Sequence, residues 1–198
     1  MAARIVVLAS GSGTLLQSLI DARSPHFQII GVLADREDAY ALQRASSAGI
    51  PSRIVSPQEF TDRETWNGAL VEAMREWAPD WIVCAGFMRI LGPAVLEVFA
   101  GRIVNSHPAL LPAFAGAHGV RDALDYGVRV TGCTIHLVDG GVDTGPILAQ
   151  EAVAVSPDDD EASLHERIKI VERRLLLEIT ENLSRYGCTV DGRKVTIP

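Results

Sequence analysis

The chain has 198 residues, 47% of them hydrophobic and 22% charged, a balance that supports one folded domain over residues 1–198 and excludes a disordered chain. A net charge of −7 and a pI near 5.2 disfavour a nucleic-acid partner, which needs a basic face, but leave room for a small anion held at a helix terminus. Cys84, Cys133 and Cys188 are scattered without metal-ligand spacing, which argues against a disulfide framework or zinc knot and for a reducing cytoplasm; no apolar run is long enough for a signal peptide or a membrane anchor.

In chain order, residues 4–9 read as a strand, 14–22 as an amphipathic helix, 27–34 as a strand, 39–48 as a helix and 52–55 as a weak strand. Thr61-Asp62-Arg63-Glu64 has the spacing of a capping box, and the apolar positions Trp66, Leu70, Ala73, Met74 and Trp77 that follow keep the 3.6-residue period until Pro79. Strands at 81–85 and 102–105 flank a short helix near 93–99. This βαβ rhythm predicts a Rossmann-like, three-layer α/β/α fold with a mostly parallel sheet. After Pro112 the rhythm changes. A short helix at 120–126 precedes strands at 128–138 and 147–155, which bracket the turn DGGVDTGP and supply antiparallel additions in the C-terminal half. The acidic run Asp158 to Glu161 reads as the solvated start of a long helix at 162–186, and Asp191-Gly192 as the turn of a final hairpin.

Three places carry polar groups where apolar ones would be expected. Ser10-Gly11-Ser12-Gly13-Thr14 joins the first strand to the first helix. It lacks the Gly-Lys-Ser/Thr of a Walker loop and the flanking of a hydrolase elbow, and Leu16 stands where a dinucleotide fingerprint needs its third glycine, although Asp35 lies near the distance of a ribose-binding acid. The readings left are a ligand-free turn and, preferred, a monophosphate site.

In IVNSHP, Asn105 and His107 lie two apart on an extended chain and so project to one side. An amide N–H beside a protonated imidazole suits stabilisation of negative charge on a carbonyl oxygen; the plainer alternative is a strand end whose polar groups satisfy loop carbonyls. The DGGVDTGP turn tips the balance, because a carboxylate delivered from it would hold a histidine protonated near neutrality. A metal site from His107, His118, His136 and Asp143 has no spacing in its favour, and His136, alternating with Thr134, reads as packing within its strand.

Taken together, SGSGTLLQ at 10–17, AGFMRIL at 85–91, NSHPALLP at 105–112 and VDTGPIL at 142–148 resemble, in order and over essentially the whole chain, the phosphoribosylglycinamide formyltransferases of purine biosynthesis. The resemblance implies 10-formyltetrahydrofolate as formyl donor, 5-phosphoribosylglycinamide as acceptor, and no metal. It implies Asn105, His107 and Asp143 as the catalytic trio, with the substrate phosphate on Gly13, Thr14 and Leu15. Lys169 and Glu172 would face phosphate and ribose. Folate would lie along Arg63, along Met88, Arg89, Ile90 and Leu91, and along Asp139, Gly140, Gly141 and Val142.

Three positions depart from the family's usual pattern: Leu15 for an asparagine, Ser106 for an aliphatic residue, and Ala115 for the middle proline of Phe-Pro-Gly. Related tRNA formyltransferases and folate hydrolases carry an extra domain, for which 198 residues leave no room. A nicotinamide-dependent oxidoreductase and a noncatalytic nucleotide-binding module are the rivals from other classes. The partners expected are small molecules, with neither nucleic acid nor membrane, and a homodimer is compatible with the sequence.

Overall fold

A computed structural model describes residues 1–198, which divide into two compact units, 1–104 and 105–198. The expected α/β class is observed, with parallel pairing in the first unit and, in the second, antiparallel pairing beside one short parallel contact.

In the first unit β1 (Ala3–Ala9), β2 (Phe27–Ala34), β3 (Ser52–Ile54) and β4 (Trp81–Cys84) pair in the order β3-β2-β1-β4, all parallel. Val6 to Ala9 are all fully buried, so both faces of β1 are covered, as a parallel sheet between helical layers requires. The helices are α1 (Thr14–Asp21), α2 (Tyr40–Ser47), α3 (Arg63–Trp77) and α4 (Pro93–Val98); α1 packs with α2, and α3 with α4. Helix α3 buries Trp66, Leu70, Ala73 and Met74, the periodic positions, and Trp66 Nε1 donates to the Val55 carbonyl at 2.9 Å. Its cap is Asp62, not the Thr61 that a capping box would use. Asp62 Oδ1 accepts from the Thr65 N–H at 2.8 Å, because a carboxylate one residue further on meets the orphan donors of the first turn just as well.

Ala9 of β1 pairs with Ala34 and Leu8 with Cys84, so the carboxyl ends of three strands are level. The loops after β1, β2 and β4 therefore leave one edge of the sheet, where ligands of open α/β sheets bind. The first and third are tied directly: the Ser10 N–H donates to the Gly86 carbonyl at 3.1 Å, and Ser10 Oγ accepts from the Met88 N–H at 2.9 Å.

Strand β5 (Ile103–His107) carries the chain from one unit to the next. It runs past the predicted end at Asn105: Ser106 and His107 also stay in the extended conformation, their polar groups paired as described below. In the second unit α5 (Gly119–Tyr126) precedes β6 (Val130–Leu137) and β7 (Ile147–Ala154), which pair antiparallel, and α6 (Glu161–Tyr186) packs on both strands. Asp160 and Ser163 cap α6 reciprocally, at 2.8 and 3.0 Å, which confirms the acidic run as a helix start. The hairpin β8 (Thr189–Asp191) and β9 (Lys194–Thr196) turns at Gly192 and joins β7 through β9.

Candidate active site

The second unit gathers the polar groups of β5, β6 and the β6–β7 turn into one cluster. Asn105 and His107 share one side of β5. Asp143 reaches them from the turn, where its own backbone is left-handed at φ 53°, a conformation that Asp and Asn accept more readily than other side chains. Asp143 Oδ2 lies 3.3 Å from His107 Nδ1 and accepts from the Gly116 N–H at 2.8 Å; Oδ1 accepts from Asn105 Nδ2 at 3.5 Å. The turn is held by Asp139, whose Oδ1 accepts from the Gly141 N–H and the Thr144 hydroxyl at 3.1 and 2.6 Å. Gly145 has no alternative, since a Cβ there would stand 1.7 Å from the Leu137 carbonyl oxygen.

A fourth member joins the cluster. His136 is buried in β6, as its alternation with Thr134 suggested, yet its ring also meets the site: Nε2 is 3.2 Å from Asn105 Nδ2 and 3.6 Å from Asp143 Oδ1. The β6–β7 register slips between Ile135 and His136, a bulge of the kind that re-aims side chains beside functional sites. Thr134 on the same strand fixes the segment after β5, donating to the Ala109 carbonyl at 2.7 Å and accepting from the Leu111 N–H at 3.0 Å.

The partners decide the tautomers. Carbonyls only accept, so His107 carries a proton on Nε2, which donates to Phe114 at 2.8 Å, and His136 carries one on Nδ1, which donates to Leu137 at 2.8 Å. His136 Nε2 is then an acceptor and takes one hydrogen of the Asn105 amide. That fixes the amide nitrogen towards the imidazole and leaves its second hydrogen on the long contact to Asp143. Around His107 the packing is close, since a Cβ on Gly119 would stand 3.1 Å from Nε2.

Burial is the largest influence on His107 and lowers its pKa; Asp143 and the Phe114 carbonyl pull upward without restoring it. In the free protein desolvation outweighs the carboxylate at this residue, which is only 3% exposed. Asp143 is pushed up by burial, but the hydrogen bond from the Gly116 N–H and the neighbouring His107 imidazole act against this, and it is held below the usual carboxylate range.

Of the residues expected to face the acceptor, Glu172 of α6 is buried and Ser106 Oγ donates to its Oε1 at 2.5 Å, while Lys169 Nζ, partly exposed, pairs with Glu166 at 2.8 Å. In the turn Val142 is exposed. No group of three or more His, Cys, Asp or Glu is arranged to hold a metal ion.

In the first unit Gly13 is the N-cap of α1 at φ 67°, with no side-chain cap on the first turn, so the N–H groups of Thr14 and Leu15 face the helix entrance. A Cβ on Gly13 would stand 2.8 Å from Ala41, and the loop is pinned by Arg44, which donates to the Ser12 carbonyl at 2.8 Å. Leu15 is buried, so its departure from asparagine serves packing. After β4, Met88 and Ile90 are exposed and Leu91 is buried. Arg63 donates to the Ile90 carbonyl at 2.9 Å. Arg89 pairs at 2.6 Å with Asp35, which is buried, and lines an open pocket of about 630 Å³.

Comparison with known proteins adds three findings. The formyl transferase family model matches residues 3–180. The chain is 52% identical over 197 residues to the phosphoribosylglycinamide formyltransferase of Mycobacterium tuberculosis, covering 98% of this chain and 91% of that one, and 40% identical over 176 residues to the human trifunctional purine biosynthetic protein adenosine-3, covering 87% of this chain and 17% of that one. The crystal structure of glycinamide ribonucleotide transformylase 1 from Symbiobacterium toebii superposes with a TM-score of 0.95 at 40% identity, covering 99% of this chain and 94% of that one.

Proposed function

Because the chain belongs to the formyl transferase family, we propose that Asn105, His107 and Asp143 carry out its reaction, transfer of a formyl group from 10-formyltetrahydrofolate to the amine of 5-phosphoribosylglycinamide in purine biosynthesis. What supports the assignment is the convergence of an amide, an imidazole and a carboxylate from β5 and a distant turn into one half-buried cluster.

The amine attacks the formyl carbon, a C–N bond forms, and the carbonyl electrons move onto oxygen. Asn105 offers that oxygen the amide hydrogen now on its long contact to Asp143; His107 offers Nε2–H, the formyl oxygen replacing the Phe114 carbonyl. His136 keeps the Asn105 amide turned the right way. Asp143 favours the charged imidazole and relays the proton leaving the attacking nitrogen towards N10 of the folate, whose bond to the formyl carbon breaks. Gly13, Thr14 and Leu15 take the phosphate through backbone N–H groups. Lys169 and Glu172 take phosphate and ribose, while Arg63, residues 88–91 and residues 139–142 take the folate.

The family match runs unbroken across both units, which supports treating 1–198 as one functional domain. The three unpaired cysteines support a cytoplasmic setting, and no helix is long and apolar enough to cross a membrane. The test is spectrophotometric: folate product should be released only when the glycinamide ribonucleotide acceptor is added. Equal release without acceptor overturns the assignment in favour of hydrolysis.

A further inference from the structure

Ser106 points to the other side of β5 from Asn105 and His107 and meets α6. Its Oγ lies 2.5 Å from Glu172 Oε1, with both residues buried, and 3.8 Å from Cys133 Sγ. An ionised carboxylate only accepts, so the hydroxyl donates, and the short distance is that of a charge-assisted bond. We propose that Ser106 is a positioning residue: its hydroxyl fixes Glu172 through Oε1 and so presents Oε2 to the vicinal hydroxyls of the acceptor's ribose. This rests on the assignment of Glu172 to the acceptor made above.

The surroundings make one hydroxyl matter. Burial raises the Glu172 pKa, and the Ser106 bond is the largest influence that opposes it, ahead of Lys169 and Arg173 on the same helix. From β6 the neighbour is the Cys133 thiol, pushed up to about 12 by burial and further by Glu172 and by Glu151 of β7, so it stays neutral and adds no positive charge. Glu151 itself is paired with Arg174. Without the hydroxyl, the carboxyl takes up a proton at higher pH and can turn.

The experiment compares wild type, Ser106→Val, Ser106→Ala, Ser106→Thr and Glu172→Gln, with KM for acceptor and for folate donor, kcat from pH 6 to 9, and acceptor binding by calorimetry. Loss of one hydrogen bond to a buried charge raises acceptor KM and Kd about tenfold in S106V and S106A, far more than kcat falls and with donor KM unmoved. The rise is larger at low pH than at high pH. S106T restores the wild-type values, and S106V added to E172Q changes nothing further. S106A gives the answer if the valine methyls overpack. The proposal is overturned if S106T fails to restore, if kcat and both KM values fall off together, or if the effects of S106V and E172Q add. A wild type without acceptor-dependent transfer overturns the functional assignment, and this proposal with it; an active wild type whose acceptor KM is unmoved in S106V and S106A overturns this proposal alone.

Discussion

Replacing Asp143 with asparagine removes a charge and keeps a shape. Asparagine tolerates the left-handed backbone at φ 53°, and its amide oxygen can accept from the Gly116 N–H as the carboxylate does, so the turn should hold. What disappears is the negative charge 3.3 Å from His107 Nδ1. Two unit charges about 4 Å apart interact by about 4 kcal/mol at an effective dielectric of about 20. Asp143 keeps some contact with solvent, 13% for its side chain, so a loss of roughly 2 to 4 kcal/mol is expected, about 30- to 1,000-fold in rate. The charged imidazole is needed as the oxyanion grows, not when substrate binds, so the loss should fall on kcat, with both KM values within about threefold. Initial rates of folate release at saturating acceptor, with a melting curve to show that D143N is folded, decide the matter. A folded D143N protein with kcat within fivefold of wild type would refute the role given to the carboxylate.

Burial holds His107 below its ordinary value, so its ring resonances should titrate by NMR below about 6.5 in the free protein, and lower still in D143N, where the upward pull of Asp143 is gone. The native state then binds fewer protons than the unfolded chain between the two values: the contribution of His107 to stability is complete above about 6.5 and is lost as pH falls through the native value, which chemical denaturation from pH 5 to 8 would follow. A midpoint at or above 6.5 contradicts the burial argument. Gly145→Ala forces a methyl against the Leu137 carbonyl and should destabilise the protein by at least about 2 kcal/mol in urea unfolding; an unchanged midpoint would mean that the turn is free to move. The two cap positions separate cleanly. Asp62→Ala should lower the urea midpoint measurably and Thr61→Ala should leave it unchanged, and the reverse order would restore the capping-box reading.

Strands β1 and β4 and the second half of β2 were legible because they are buried on both faces and read as apolar runs, and 27–34 is reproduced to the residue; β3, exposed throughout, reads only weakly. The cap of α3 was misread because TDRE offers two capping residues in adjacent frames, and only the Thr65 contact chooses between them. Strand β5 outran its apolar residues since pairing of the polar ones comes from distant segments, Asp143 and Glu172, that local pattern does not reveal. Asn105, His107 and Asp143 converge, as the resemblance implied. His136 reads mainly as packing because a histidine alternating with a threonine looks like core; the bulge beside it, next to its contact with Asn105, leaves no mark in composition. The Phe114 carbonyl on His107 was beyond reach for a different reason: a backbone oxygen has no sequence signature.

The alternation of β5 means that three consecutive residues serve opposite sides of a single strand, Asn105 and His107 towards the β6–β7 turn and Ser106 towards α6. A shift by one residue would exchange these sets, presenting a lone hydroxyl where two nitrogen groups belong and an amide or imidazole to a carboxylate under the helix. Insertions and deletions upstream of Asn105 should therefore be purged from a library far more strictly than those in the exposed stretch before α6, even though both lie outside the residues that perform the reaction. The length of this strand is as constrained as its side chains.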